Sequence, residues 1–407
     1  MRKLIALLGS LVLLAACGGT APAASPSPSS APAKPAASSA APAASASAKP
    51  ATSASAAVKP AGSAAAKPAP SQPAIVGAKE VPGAVADAST YTMREIPIPE
   101  SKTHPSPDSR AHSIWVAPDG KVWFSGLVQS NIVMYDPATD QFKSWDTPTQ
   151  PSRPHGIKVD ADGIVWTGYT VPGSNKLVSF DPKTEKFTEI PTNFGRGFAY
   201  PNTLWVAKDG NIFFSYEWGD GVARVEPKNG NKLTEWPVAT KVARPYGIQE
   251  AQDGMVWVSE FLGNKLLRLN PQTGEIKEFV HPAAANDPGL RRLGIDSKGM
   301  IWFAEHEWGG LGRFDPKTEQ WTSWLAPRQD GRRDQVYAIN IDAKDNVWVS
   351  DFGGNYVGRF DPQAEKWTVY PHISKPVNCR YMALDQKGVL WCGGSARPVL
   401  VRLEVKA

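Results

Sequence analysis

The sequence predicts an all-β protein, a seven-bladed β-propeller of four-stranded antiparallel blades closed by an N-terminal strand. Three observations carry this. An aromatic residue recurs seven times, at 123, 166, 213, 257, 302, 348 and 391, with spacings of 43 to 47 residues. A turn signal follows each of the first six: Asp136-Pro137, Asp181-Pro182, Glu226-Pro227, Asn270-Pro271, Asp315-Pro316 and Asp361-Pro362. The seventh repeat stops one strand short at Leu403-Glu404-Val405, and a matching strand stands at the other end of the repeat region. Repeats of this length, each with four short strands, cannot bury their faces alone and stack into a ring.

The first 88 residues lie apart from this pattern. Arg2 and Lys3 precede the apolar run from Leu4 to Leu14, which ends in Leu14-Ala15-Ala16-Cys17. That order is a secretory signal over residues 1–16. Its end resembles the lipobox of bacterial lipoproteins, which implies lipidation of Cys17 and export to the cell envelope, on the periplasmic or extracellular face. Residues 17–88 are nearly all Ala, Pro, Ser, Gly and Thr, without an aromatic residue before Tyr91. Such a composition cannot offset its conformational entropy and predicts a disordered tether. Residues 1–80 hold seven basic side chains and one acid, so residues 81–407 carry a formal −1 of the total +5. The folded part therefore lacks the charge expected of a nucleic-acid binder. The membrane is expected to be reached through the lipid alone, and the propeller to be a monomer.

Within residues 89–407 each unit reads as strands a to d. The motif Asp162-Gly163-Ile164-Val165-Trp166 and its copies join a to b, because glycine accepts the positive φ that closes the turn. The Asp-Pro signals join c to d. The aromatic anchors sit in strand b and are expected to pack between blades. Tyr91-Thr92-Met93-Arg94-Glu95-Ile96-Pro97 matches the outer strand Lys186-Phe187-Thr188-Glu189-Ile190-Pro191, and is expected to complete blade 7. Cys379 and Cys392 leave a disulfide open in an exported chain. Against it, a register set by the turn at 385–388 puts Cys392 opposite Met382, with the two sulfurs on opposite faces.

In a propeller the d-to-a and b-to-c loops surround one mouth of the central channel. Eleven residues before the anchors stand His112, His155, Asn202, Tyr246, Arg291, Tyr337 and Arg380. Every one is polar or amphipathic. Three residues after the anchors stand Gly126, Tyr169, Tyr216, Glu260, Glu305, Asp351 and Gly394. The expected site is a His pair in neighbouring blades facing an arc of Glu260, Glu305 and Asp351, with Tyr246, Arg291, Tyr337 and Arg380 contacting an anionic or carbonyl-bearing small molecule. His306, between Glu305 and Glu307, invites a metal reading, but adjacent strand residues point to opposite faces, so it could share an ion with Glu305 only across a bulge or in the loop. His104 and His281 read as loop residues.

The segments Pro154-His155-Gly156-Ile157 to Asp162-Gly163-Ile164-Val165-Trp166, Pro245-Tyr246-Gly247-Ile248 to Trp257-Val258-Ser259-Glu260, and Ile301-Trp302-Phe303-Ala304-Glu305 through Gly312-Arg313-Phe314-Asp315 resemble the repeat of the virginiamycin B lyase (streptogramin lyase) family. The resemblance covers residues 89–407. It implies opening of a cyclic depsipeptide lactone by elimination, in which a His base removes the proton next to a carbonyl and a Glu-held magnesium ion stabilises the enolate. Arg110-Ala111-His112-Ser113 and Arg153-Pro154-His155-Gly156 match the family's His pair. His155 would be the base and His112 a substrate contact. Where the family carries its two metal-binding Glu residues, this chain has Arg153 and Thr170.

Three functions stay open at this level. One is the lyase. Another is a gluconolactonase-like lactonase holding a divalent cation, magnesium or calcium, through Glu260, Glu305 and Asp351. The third is a tethered binding or sensor module for a small molecule or a cell-envelope component.

Overall fold

The computed structural model describes residues 77–100, 110–192, 194, 199–328, 335–353 and 355–406. The signal peptide, Cys17, most of the tether and His104 lie outside the described residues. Seven sheets, each built on four antiparallel strands, follow one another along the chain, as the repeat requires. Blade 1 comprises strands Ile114–Val116, Val122–Gly126, Asn131–Asp136 and Gln141–Asp146, and blades 2 to 6 repeat the same a-b-c-d order. Blade 7 takes strands a to c from Cys379–Leu384, Leu390–Gly394 and Val399–Val405, and strand d from Tyr91–Pro97. That last strand pairs antiparallel with strand c from Tyr91 opposite Val405 to Pro97 opposite Val399. The expected closure is therefore formed.

Residues 78–85, which composition assigned to the tether, carry two short strands. Ala78–Lys79 pairs in parallel with the outer strand of blade 5, and Gly83–Val85 with that of blade 6. Their Ala, Gly and Pro neighbours gave no strand signal, because the pairing comes from an open edge already present rather than from local propensity.

The anchors form the core between blades. All seven are buried. Trp257 stacks on Phe279 of its own outer strand at 5.4 Å and meets Phe314 of blade 5 at 5.8 Å. Trp302 repeats this with Trp324 and with Phe360 of blade 6. Trp391 of blade 7 reaches Tyr135 of blade 1 at 6.0 Å, which closes the ring through side chains as well as backbone. The indoles of Trp166, Trp302 and Trp348 also donate to Asp160, Asp296 and Asp342, so the a-to-b turn and the core position each other. Replacing Trp257 by Ala should cost about 3–5 kcal/mol, read as a loss in chemical-denaturation stability.

A single irregularity recurs in strand a. In blades 2 to 7 the pairing of a with b slips between the first residue of the strand and the fourth, as between Pro154 and Ile157. Such a bulge cancels the strict alternation of faces. It corrects the cysteine argument: Cys392 does lie opposite Met382, but the slip puts Cys379 opposite Gly394, two residues from Cys392 on the same face. Cys379 and Cys392 form a disulfide with Cα atoms 5.7 Å apart.

Candidate functional site

Strand a is the innermost strand of each blade, and its first residues surround the mouth. His155 belongs to Pro154–Val159, and His112 lies two residues ahead of Ile114–Val116. Both are buried, with ring centroids 4.0 Å apart. They face a cavity of about 390 Å³ that Arg110, Arg153, Arg380 and Glu217 also line. The Nδ1 of His155 stands 3.2 Å from the backbone carbonyl of Asn202. A proton held there leaves Nε2 as the basic nitrogen, and the Asn202 amide faces it at 3.5 Å. The Nδ1 of His112 lies 3.3 Å from the Ser113 hydroxyl.

Electrostatics keep both rings neutral. Burial lowers His155 well below the ordinary imidazole value, and the charges of Arg292, Arg380 and Arg153 lower it further against the pull of the Asn202 carbonyl. Burial, then His155 and the same three arginines, lower His112 in the same direction. Glu217 does not balance these cations, because it forms an ion pair with Arg244 and accepts a 2.5 Å hydrogen bond from Asn202. The cavity is thus a positively charged recess holding two uncharged imidazoles.

Tyr246, Arg291 and Arg380 come together around the Tyr337 ring. The Tyr246 and Tyr337 hydroxyls are hydrogen-bonded to each other. Arg291 reaches the Tyr337 hydroxyl at 3.4 Å and lies over the Phe261 ring at 3.9 Å. Arg380 lies over Phe352 at 4.9 Å. Burial and the proximity of Tyr337 push Tyr246 up to about 12, whereas Arg291, Arg292 and Arg380 overcome burial and lower Tyr337. A larger cavity of about 430 Å³ lies at the opposite ends of blades 1 and 2, between turn residues such as Pro118 and Pro182. Its wall carries Asp119, Asp162, Lys121, Lys143 and Lys183 but no His or Arg.

Glu260, Glu305 and Asp351 do not form the expected arc. Each ends a strand b, but its carboxylate turns into its own blade. Glu305 accepts from His281 at 3.1 Å and from Ser323 of the outer strand at 2.6 Å. Asp351 accepts from the backbone of Gln335 and Gly353. Burial, then the neighbouring Glu278 charge, push Glu260 up to about 8. His306 sits in a short 3-10 turn with Nδ1 3.1 Å from the Val336 carbonyl. Among the described residues no group of three or more His, Cys, Asp or Glu side chains is placed to hold a metal ion. His281, read from sequence as a loop residue, is a buried link between blades 4 and 5, its Nδ1 accepting from Ala283 and its Nε2 facing Glu305.

Residues 94–319, more than half of the chain, match the model of the Virginiamycin B lyase family. The chain belongs to this family. No curated protein matches it. Among solved structures it is similar to a streptogramin B lyase, at 21% identity and a TM-score of 0.69, over 79% of this chain and 100% of the other. A virginiamycin B lyase from Staphylococcus aureus aligns at 20% identity and a TM-score of 0.68, over 77% and 99% of the two chains. The WD40 propeller domain of Doa1 also aligns, at 12% identity and a TM-score of 0.59, over 78% and 97%. At such identities the likeness is one of fold.

In this virginiamycin B lyase family member the two positions that the resemblance assigns to magnesium do not fit a cation. Thr170 donates to the backbone carbonyl of Arg153 at 2.8 Å, and Arg153 brings a positive charge to the cavity where the metal would need a carboxylate. The carboxylate nearby, Glu217, is engaged by Arg244.

Sequence reasoning missed Arg292, Glu217 and Arg244. Arg292 follows Arg291 directly, and alternation would have sent one of the pair away from the channel, but the bulge between Leu290 and Leu293 frees it to face inward. The buried histidines have one further consequence. His112, His155, His306 and His372 all have depressed values in the fold, about 3 for His306 and about 4 for His372, and burial is the main cause. Unfolded imidazoles take up protons near pH 6.5, so the unfolded chain binds more protons below that value and stability must fall as pH drops through it. The melting midpoint should decline between about pH 6.5 and 5, above the range in which ordinary carboxylates titrate. A midpoint flat over that interval would contradict this account.

Proposed function

We propose that the mouth opens a cyclic ester by elimination, with His155 as general base. The observation that carries this reading is the neutral His112–His155 pair, 4.0 Å apart, in a recess lined by three guanidiniums. A proton next to a carbonyl is too weakly acidic for imidazole alone, so the developing enolate must be stabilised by donors or charge. Arg153 and Arg380 supply that charge here. Nε2 of His155 takes the proton, the electron pair passes through the enolate, the ring carbon–oxygen bond breaks, and the oxygen leaves as a carboxylate. His112 contacts the substrate beside the base. The relatives of this fold point the same way: one solved structure pairs a catalytically inactive virginiamycin B lyase with quinupristin.

Mass spectrometry of a cyclic depsipeptide incubated with the purified protein tests the reaction. Elimination gives a linear product of unchanged mass. A gain of one water would mean hydrolysis, and binding without conversion would favour the second reading, a ligand-binding module, for which Arg153 and Thr170 at the metal positions are the supporting observation.

Export and anchoring form part of the same proposal. Residues 1–16 would be removed, and Cys17 would carry the lipid that holds the protein in the cell envelope. Radiolabelled palmitate should enter the wild-type protein in a bacterial host and be absent from Cys17→Ser; equal labelling of both would exclude Cys17 as the anchor.

A further inference from the structure

Below the mouth the channel narrows to a second cavity of about 170 Å³, lined by Trp115, Lys158, Trp205, Gln249, Asn340 and Tyr381. Lys158 and Arg292 are each only 3% exposed. The Lys158 ammonium lies 3.2 Å from the centre of the Trp115 ring, 5.0 Å from Trp205 and 5.5 Å from Tyr381. The Arg292 guanidinium lies 4.4 Å from that same Tyr381 ring. One of its nitrogens donates to the Thr203 hydroxyl at 2.5 Å, while Nε and Nη2 have no hydrogen-bond partner among the described residues.

Two buried cations thus approach one partly buried aromatic ring, and no carboxylate among the described residues lines the cavity beside Lys158. Ring faces attract a cation but leave its charge uncompensated. A guanidinium cannot shed its proton, and buried charges persist only when paired or well bonded. Burial and the Arg292 charge press the Lys158 ammonium well below its ordinary value, the direction expected where the counter-charge is missing from the protein itself.

We propose that the channel is an anion site, in which a small monovalent anion of halide or formate size binds between Lys158 and Arg292. An inorganic anion and the carboxylate of a small metabolite present the same chemistry to this pair of cations. Arg292 also lowers both mouth histidines, so occupancy would reduce the positive field at the catalytic recess without touching it.

Bromide is the probe. At constant ionic strength, replacing sodium gluconate by sodium bromide should raise the melting midpoint in a saturable manner by about 2–4 °C. Lys158→Met should lose that shift, whereas Arg380→Met, at the mouth, should keep it. A shift that is absent, non-saturable or unchanged in Lys158→Met would overturn the proposal. Should Lys158→Met fail to fold, crystals of the wild-type protein soaked in bromide decide: an anomalous peak between Lys158 and Arg292 supports the site, and its absence, or a peak at the mouth alone, overturns it. Formate competing with the bromide peak would identify carboxylates as occupants, and failure to compete would restrict the site to inorganic anions.

Discussion

Deletion of residues 89–99 is expected to abolish cooperative folding of the whole propeller. The strand they contain, Tyr91–Pro97, is the outer edge of blade 7 over its full length. Ile96 and the following Ile98 are buried in a cluster with Trp391 and Leu400 of blade 7 and Ile114 and Phe124 of blade 1, so they secure the junction where the ring closes. Tyr91 meets Tyr370 of blade 6 edge-on at 5.2 Å, and Glu95 accepts from the Ser374 backbone at 2.8 Å. Two buried isoleucines contribute several kcal/mol by themselves, about 2–5 kcal/mol for each on truncation, against a net stability of about 5–15 kcal/mol for a domain. Loss of the strand also leaves strand c of blade 7 as a naked edge. Circular dichroism melting of the shortened protein should show no native transition; a transition at the wild-type temperature would mean that the ring closes by other contacts.

His155→Ala is expected to lower ring-opening turnover by about 10²- to 10⁴-fold, the range that a positioned general base contributes. Its melting midpoint should fall only modestly, because the loss is one buried ring and its bond to the Asn202 carbonyl. The pH profile separates this role from a structural one. With His155 depressed by burial and by Arg292, its free-base form persists well below the usual imidazole range. The acid limb of the rate should therefore lie below about pH 6.5, and replacing Arg153 by Met should move that limb upward. A variant lacking His155 that keeps wild-type turnover would remove it as the base.

The fold was legible because a propeller writes each blade in the same turn chemistry. The copies of Asp162-Gly163 and Asp181-Pro182 gave the period and phase, and the missing last strand gave the closure. The mouth ring from His112 to Arg380 followed from that phase alone. Direction within a strand was not legible. A bulge carries no composition signal, so alternation misplaced Cys379 relative to Cys392 and hid Arg292 behind Arg291. Likewise Glu260, Glu305 and Asp351 share a sequence position but turn into their blades, Glu305 toward His281 and Ser323 and Asp351 toward the backbone of Gln335 and Gly353. Strands at 78–85 escaped notice since they borrow an edge instead of forming one.

Those two short strands also determine how the domain would respond to force. The chain meets blade 5 at Ala78–Lys79, passes blade 6 at Gly83–Val85 and only then supplies the outer strand of blade 7. Tension applied ahead of residue 78 would be met first by the two brief pairings, which can open and re-form at small cost, before any reaches Tyr91. They would act as a strain relief, in the manner of a cable clamped short of its terminal, so that a pull on the N-terminal side extends slack chain while the ring stays shut.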